Sequence, residues 1–167
     1  MMNKLWAPWR IKYILDTRKK GCIFCDFSSR PSKDRSNHVL YRGKKNYVVM
    51  NIFPYNNGHL MIVPYGHFKD LQELNAAQLA EMMCLLKHAN KILKSVLRPE
   101  GFNVGLNIGK NAGAGIAGHL HLHIVPRWAG DTNFMPVLSD TKIISQSIEE
   151  LYEILRQKFN TGEKNER

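Results

Sequence analysis

Histidine and aliphatic residues alternate along Gly118-His119-Leu120-His121-Leu122-His123-Ile124-Val125-Pro126, and this pattern restricts the fold more tightly than any composition figure. In a strand, successive side chains point to opposite faces, so His119, His121 and His123 share one face and Leu120, Leu122 and Ile124 share the other. One face is suited to packing and the other to chemistry. Three of the seven histidines fall within these five residues. At about 3.3 Å per residue, the outer two stand roughly 13 Å apart, too far to ligate one ion through bonds of about 2 Å. A row of imidazoles instead offers several donors along a phosphate chain, and the central one is placed to attack phosphorus while its neighbours hold non-bridging oxygens.

The loop before the histidines supports that reading. Asn107-Ile-Gly-Lys-Asn-Ala-Gly-Ala-Gly-Ile-Ala-Gly118 holds four glycines in twelve residues, and small residues let backbone N–H groups approach an anion closely. Further strands are expected at 39–41, 47–51, 59–63 and 103–108, with 119–125 as the fifth, each bounded by Gly, Pro or Asn. A helix is expected from Asn75, because apolar residues recur at 79, 82, 83, 86, 89, 93, 96 and 97 and Asn75 with Gln78 resembles a capping box. Pro99 and Gly101 should end it. A second helix at 147–159 places Ile148, Leu151, Tyr152, Leu155 and Phe159 on one face. Helices and strands do not alternate regularly, which predicts an α+β fold with a mostly antiparallel five-stranded sheet and two main helices.

A chain of 167 residues is one domain and can bury about 70% of its unfolded surface without disulfide staples. Its three cysteines are too few for a disulfide scaffold; Cys22 and Cys25 form a C-x-x-C pair suited to metal or redox chemistry, and Cys84 is expected in the core. The net charge of +10 is concentrated at one end: residues 1–45 carry twelve Lys and Arg against three Asp, and residues 46–167 twelve against eleven acids. This divides the chain into a basic arm at 1–20, a domain at 21–160 and a frayed tail at 161–167. The arm is interrupted by Lys4, Pro8, Arg10, Lys12 and Arg18, unlike a secretory signal, and no apolar run reaches membrane-spanning length. A reducing cytoplasmic setting is expected. Trp6 and Trp9 give the arm anchors for docking, and its charge can steer polyanions.

His119-Leu-His121-Leu-His123-Ile-Val resembles the signature of the histidine triad (HIT) superfamily of nucleotide hydrolases and transferases. Asn51-Ile-Phe-Pro-Tyr-Asn-Asn-Gly58-His59-Leu-Met-Ile-Val-Pro64 resembles the family's nucleoside-binding segment. Trp6-Ala-Pro-Trp9-Arg10, Cys22-Ile-Phe-Cys25 and the segment from Pro126 to Pro136 resemble the prokaryotic branch that includes diadenosine tetraphosphate (Ap4A) phosphorylases and Fhit-like hydrolases. The resemblance implies cleavage of dinucleoside polyphosphates by a homodimer. It implies His121 as the nucleophile forming a nucleotidyl-histidine, resolved by water or phosphate. His123 and Asn107 correspond to phosphate ligands, Asn51 to the ribose contact, and His59 to a histidine supporting the central imidazole. His119, Gly113 and Gly115 complete the substrate-binding set. Many members carry Gln or Ser where this chain has Gly115, so help to the leaving group falls to backbone groups, to Lys110 or Asn111, or to another chain. The resemblance also implies a structural Zn²⁺ on Cys22, Cys25, His67 and His119. Two rivals follow: a Hint-type nucleoside phosphoramidase or AMP-lysine hydrolase, against which the branch-specific segments speak, and a zinc-containing nucleic-acid-binding module, which leaves the histidine row unexplained.

Overall fold

The computed structural model describes residues 21–112, 116, 118–131 and 147–162. The expectations for the arm at 1–20, for Gly113 and Gly115, and for the tail from residue 163 lie outside the described residues. Five strands form one sheet: β1 (Val39–Arg42), β2 (Asn46–Met50), β3 (Leu60–Pro64), β4 (Gly101–Leu106) and β5 (Leu122–Arg127). Their order is β1-β2-β3-β5-β4, and every pairing is antiparallel. Among the described residues three α-helices accompany them: α1 (Ile23–Ser29), α2 (Ala76–Leu97) and α3 (Ile148–Gly162). The α+β expectation stands. Among the described residues no helix is long and apolar enough to cross a membrane.

Alternation sorts the central strands between two cores. Val48, Met50, Leu60, Ile62, Leu122 and Ile124 pack with Leu120 against buried residues of α2 and α3. Tyr47, Val49, Met61 and Val63 point the other way, onto Phe24 of α1. Because both faces are covered, β2 and β3 are buried throughout and read as continuous apolar runs.

The α2 start is the expected capping box: Asn75 Oδ1 accepts from Gln78 N at 3.0 Å, and Gln78 Oε1 accepts from Asn75 N at 2.9 Å. The stripe facing the sheet is Met82, Leu85, Ala89, Ile92 and Leu93. Cys84 is rotated off that stripe and exposed, which corrects its placement in the core, and Met83, counted in the apolar period, is exposed as well. The Glu81 carboxylate accepts from the backbone N–H groups of Lys44, Lys45 and Asn46 and from Asn46 Nδ2, clasping α2 to the β1–β2 loop.

Several further boundaries differ from expectation, most of all at β5, β4 and α3. Strand β5 begins at Leu122 rather than His119, because the Leu120 amide donates to Phe68 O at 2.7 Å, outside the sheet. Strand β4 begins at Gly101, paired with Arg127, since the helix before it has already closed at Arg98 with φ +48. Helix α3 runs on through Gly162, past the expected end at 159, with Thr161 Oγ1 donating to Gln157 O. Helix α1 was not foreseen at all.

Candidate active site

The triad occupies the α1 side of the sheet, opposite the leucines. His119, His121 and His123 are all buried, and their rings, with Phe24 and His59, form a continuous row. His121 and His123 centroids are 4.6 Å apart, and His123 and His59 centroids 5.0 Å apart.

Backbone groups determine which nitrogen carries each proton. His121 Nδ1 lies 2.8 Å from the carbonyl oxygen of His119. A carbonyl only accepts, so Nδ1 bears the hydrogen and Nε2 keeps its lone pair. Burial lowers the His121 pKa below the usual imidazole value, although the bond to the His119 carbonyl opposes it. At neutral pH the ring is an uncharged base with Nε2 free to react.

The second relay starts at Tyr55, whose backbone N–H donates to His59 Nδ1 at 3.0 Å. Asn51 Nδ2 lies 3.3 Å from the same nitrogen. His59 therefore carries its hydrogen on Nε2 and donates it to His123 Nδ1 at 2.9 Å. His123 must then carry its own hydrogen on Nε2, a buried atom without a hydrogen-bond partner among the described residues. A buried donor without an acceptor is costly unless a ligand supplies one. Burial, reinforced by the neighbouring histidines, holds His59 near pKa 3 and His123 near 4, so both are neutral donors at pH 7.

The direct partner of His59 is thus His123, not the central imidazole. The turn that delivers His59 depends on Gly58, whose φ is +74 and where a Cβ would run into Leu97. Asn51 bonds to that turn as well: its Oδ1 accepts from Phe53 N at 2.9 Å. Asn107 is half-buried, one residue past the Leu106–Leu122 pair that closes β4 against β5. Arg127, a candidate phosphate partner by charge, is engaged instead with Asp131 and Asn103.

A second cluster abuts the first. One ligand atom from each of Cys22, Cys25, His67 and His119 lies within 4.8 Å of all the others. Cys22 Sγ is 3.2 Å and Cys25 Sγ 3.5 Å from His119 Nδ1, and Cys25 Sγ is 3.3 Å from His67 Nδ1. Tetrahedral ligation with bonds of about 2.0–2.3 Å gives sulfur–nitrogen edges of about 3.5 Å, so the donor set fits a metal ion. His119 Nε2–H donates to Pro64 O at 3.0 Å, which leaves Nδ1 unprotonated and orients the ring, as a ligating histidine requires. Burial and the adjacent Cys22 sulfur raise the Cys25 pKa, an opposition that a bound cation reverses.

The sequence model of the HIT domain matches residues 32–130. The chain belongs to the histidine triad family. It is 39% identical over 161 residues to a Mycobacterium tuberculosis protein named AP-4-A phosphorylase, covering 92% of this chain and 83% of that one. It is 27% identical to the asymmetrical bis(5'-nucleosyl)-tetraphosphatase of Schizosaccharomyces pombe, over 56% of this chain and 50% of that one. Among solved structures, a Zn-bound histidine triad family protein from Mycobacterium smegmatis superposes with TM-score 0.69 at 25% identity, covering 87% of this chain and 98% of that one.

Sequence reasoning missed two contributors to the site. Phe24 touches the His119 and His121 rings, and the Tyr55 backbone sets the His59 tautomer. Phe24 carries no polar atom in its side chain, and Tyr55 acts through a group every residue but proline possesses, so residue type gave no signal for either.

Proposed function

We propose that this HIT protein is an enzyme that cleaves dinucleoside polyphosphates by transferring a nucleotidyl group to His121. The observation that carries the reading is the pairing of opposite tautomers side by side. His121 offers a lone pair on Nε2, held there by the His119 carbonyl. His123 offers an unmet N–H on Nε2, held there by the His59 relay.

In the first step His121 Nε2 attacks the α-phosphorus. The new P–N bond forms as the bond to the bridging oxygen breaks, and the remaining polyphosphate leaves with that electron pair. The His121 ring becomes cationic, and its Nδ1–H stays on the His119 carbonyl, which stabilises the charge. His123 Nε2–H donates to a non-bridging oxygen. In the second step an oxygen of phosphate or water attacks the same phosphorus, Nε2 departs with its pair as neutral imidazole, and the acceptor's proton passes to solvent. Asn107, the glycine-rich loop with Gly113 and Gly115, and Asn51 serve the phosphates and ribose in this reading. The M. tuberculosis relative named AP-4-A phosphorylase supports phosphate as the acceptor.

The metal is zinc in this reading, held by Cys22, Cys25, His67 and His119; it supplies a structural cross-link between α1 and the triad segment rather than reaction chemistry. Two thiol ligands suit a reducing cytoplasm. The outer edge of β4 pairs with nothing among the described residues and is the surface on which a homodimer would form. Nucleic acid has no part in this reading, because a module that only bound it would leave the buried imidazole row without a role.

Product analysis of Ap4A turnover with and without inorganic phosphate tests the proposal. ATP plus ADP, dependent on phosphate, is expected. ATP plus AMP would reassign the acceptor to water, and no turnover in either condition would overturn the reading.

A further inference from the structure

Phe24 lies between the metal cluster and the nucleophile. In sequence it sits inside Cys22-Ile23-Phe24-Cys25. In space its ring, 1% exposed, meets the His119 ring edge-on at 5.4 Å and the His121 ring at 5.0 Å. The same side chain therefore packs against a metal-cluster residue and against the proposed nucleophile.

What holds Phe24 there is external to its helix. A helix of seven residues has little stability of its own, and α1 has no side-chain cap at Cys22. Its far end is held by Arg42, which donates to Phe27 O and Ser28 O while paired with Asp34. Its middle is held by Tyr47, whose hydroxyl donates to Phe24 O at 2.9 Å. Its first turn is held by the sulfurs of Cys22 and Cys25 against His67 and His119. Of these three anchors, only the last can be released without changing a residue.

His121 has a matching vulnerability. Its tautomer depends on one bond, from Nδ1 to the His119 carbonyl, and turning the imidazole about its side-chain torsions breaks that bond, after which the hydrogen is free to exchange onto Nε2 and block the lone pair there. Phe24 packs against the His121 ring, tilted to it by 53°. An aromatic face at 5.0 Å restrains a neighbouring ring by contact alone.

We propose that Phe24 is a positioning residue that transmits the state of the Cys22–Cys25–His67–His119 cluster to His121, holding the imidazole in its reactive tautomer while the cluster is closed and releasing it when the cluster opens. The kinetic consequence rests on the function proposed above; the structural consequence does not.

The test uses the full chain labelled with ¹⁵N-histidine, zinc content measured alongside, and ring-nitrogen spectra that report each tautomer. In Phe24→Leu, zinc should stay bound, because all four ligands remain. The His121 signals should change from a single Nδ1–H form to an exchanging mixture. With Ap4A, kcat should fall about tenfold while KM moves less than about twofold, as for a displaced reacting group rather than a lost binding contact. Phe24→Met, which fills the space without a flat ring, should give the same change in milder form and serves if Phe24→Leu is poorly folded. Removing zinc from the wild type with a chelator should reproduce the Phe24→Leu spectrum of His121. Val39→Ala trims the same apolar cluster from β1, which β2 and β3 separate from β5, and should leave that spectrum unaltered. Unchanged His121 signals in both Phe24 variants, or an equal change in Val39→Ala, would overturn the proposal. Absence of Ap4A turnover in the wild type would remove the function but leave the spectra to decide the role of Phe24.

Discussion

His59 Nε2 lies 2.9 Å from His123 Nδ1, and this one bond determines which nitrogen of His123 faces the site. Burial keeps both histidines neutral in a place where a phosphate chain needs donors, and the consequences reach both stability and catalysis.

The pH dependence of stability follows directly. Both groups titrate lower folded than unfolded, near 3 and 4 against about 6.5. Between those values the unfolded chain binds more protons, so the stabilisation is complete above pH 6.5 and is lost as pH falls toward 4 and then 3. The urea midpoint should drop measurably from pH 7 to pH 5, and His59→Gln should flatten part of the drop. A midpoint independent of pH over that interval would show that these imidazoles are not buried in neutral form.

The nucleophile gives the largest kinetic effect. His121→Ala should lose at least about a thousandfold in kcat, because the covalent route disappears, while equilibrium binding of a non-hydrolysable Ap4A analogue changes little. Near-normal turnover in this variant cannot be reconciled with a nucleotidyl-histidine.

For the metal, purified protein should contain about one zinc per chain, and Cys22→Ser should lose it with a lowered Tm. Metal analysis and a melting curve suffice. A zinc-free protein with the same Tm as Cys22→Ser would return Cys22 and Cys25 to ordinary thiols.

Glu81 offers a test of the scaffold away from the site. Burial would raise its pKa, but the hydrogen bonds from Asn46 and from the Lys45 and Lys44 amides win and lower it. Its contribution is therefore present above the ordinary carboxylate value and fades as pH falls through the lower folded one. Glu81→Gln should cost about 2 kcal/mol at pH 7, since hydrogen bonds to a charged acceptor are lost and a donor is turned on the loop amides. The difference between variant and wild type should narrow by pH 3 in chemical denaturation.

The elements that showed in the sequence were those whose periodicity or donor chemistry is local. The His/Leu alternation placed Leu120, Leu122 and Ile124 in the core, Asn75 and Gln78 announced the start of α2, and the four residues expected around a zinc ion do converge. What failed depended on partners distant in the chain. Helix α1 is too short to show a period and owes its place to Arg42 and Tyr47. Strand β5 starts late because Phe68, more than fifty positions earlier in the chain, takes the Leu120 amide. Cys84 shares a helix with buried residues but not their direction. The His59 partner could not be read from residue type, because either neighbouring imidazole would have served chemically.

The division of residues 119–124 between aliphatic side chains on one side and imidazoles on the other ties folding accuracy to chemical accuracy. A slip of one residue against β3, where Met61 opposes His123 and Ile62 opposes Leu122, would carry the imidazoles into hydrocarbon and the aliphatic side chains into the opening. Each misplaced leucine or isoleucine would forfeit about 1.5–3 kcal/mol of burial. A chain misaligned enough to spoil the chemistry is thus also too unstable to persist. An insertion or deletion within β3 or β5 would force such a slip, whereas one in the loops that join them to neighbouring elements would leave the reactive row in place.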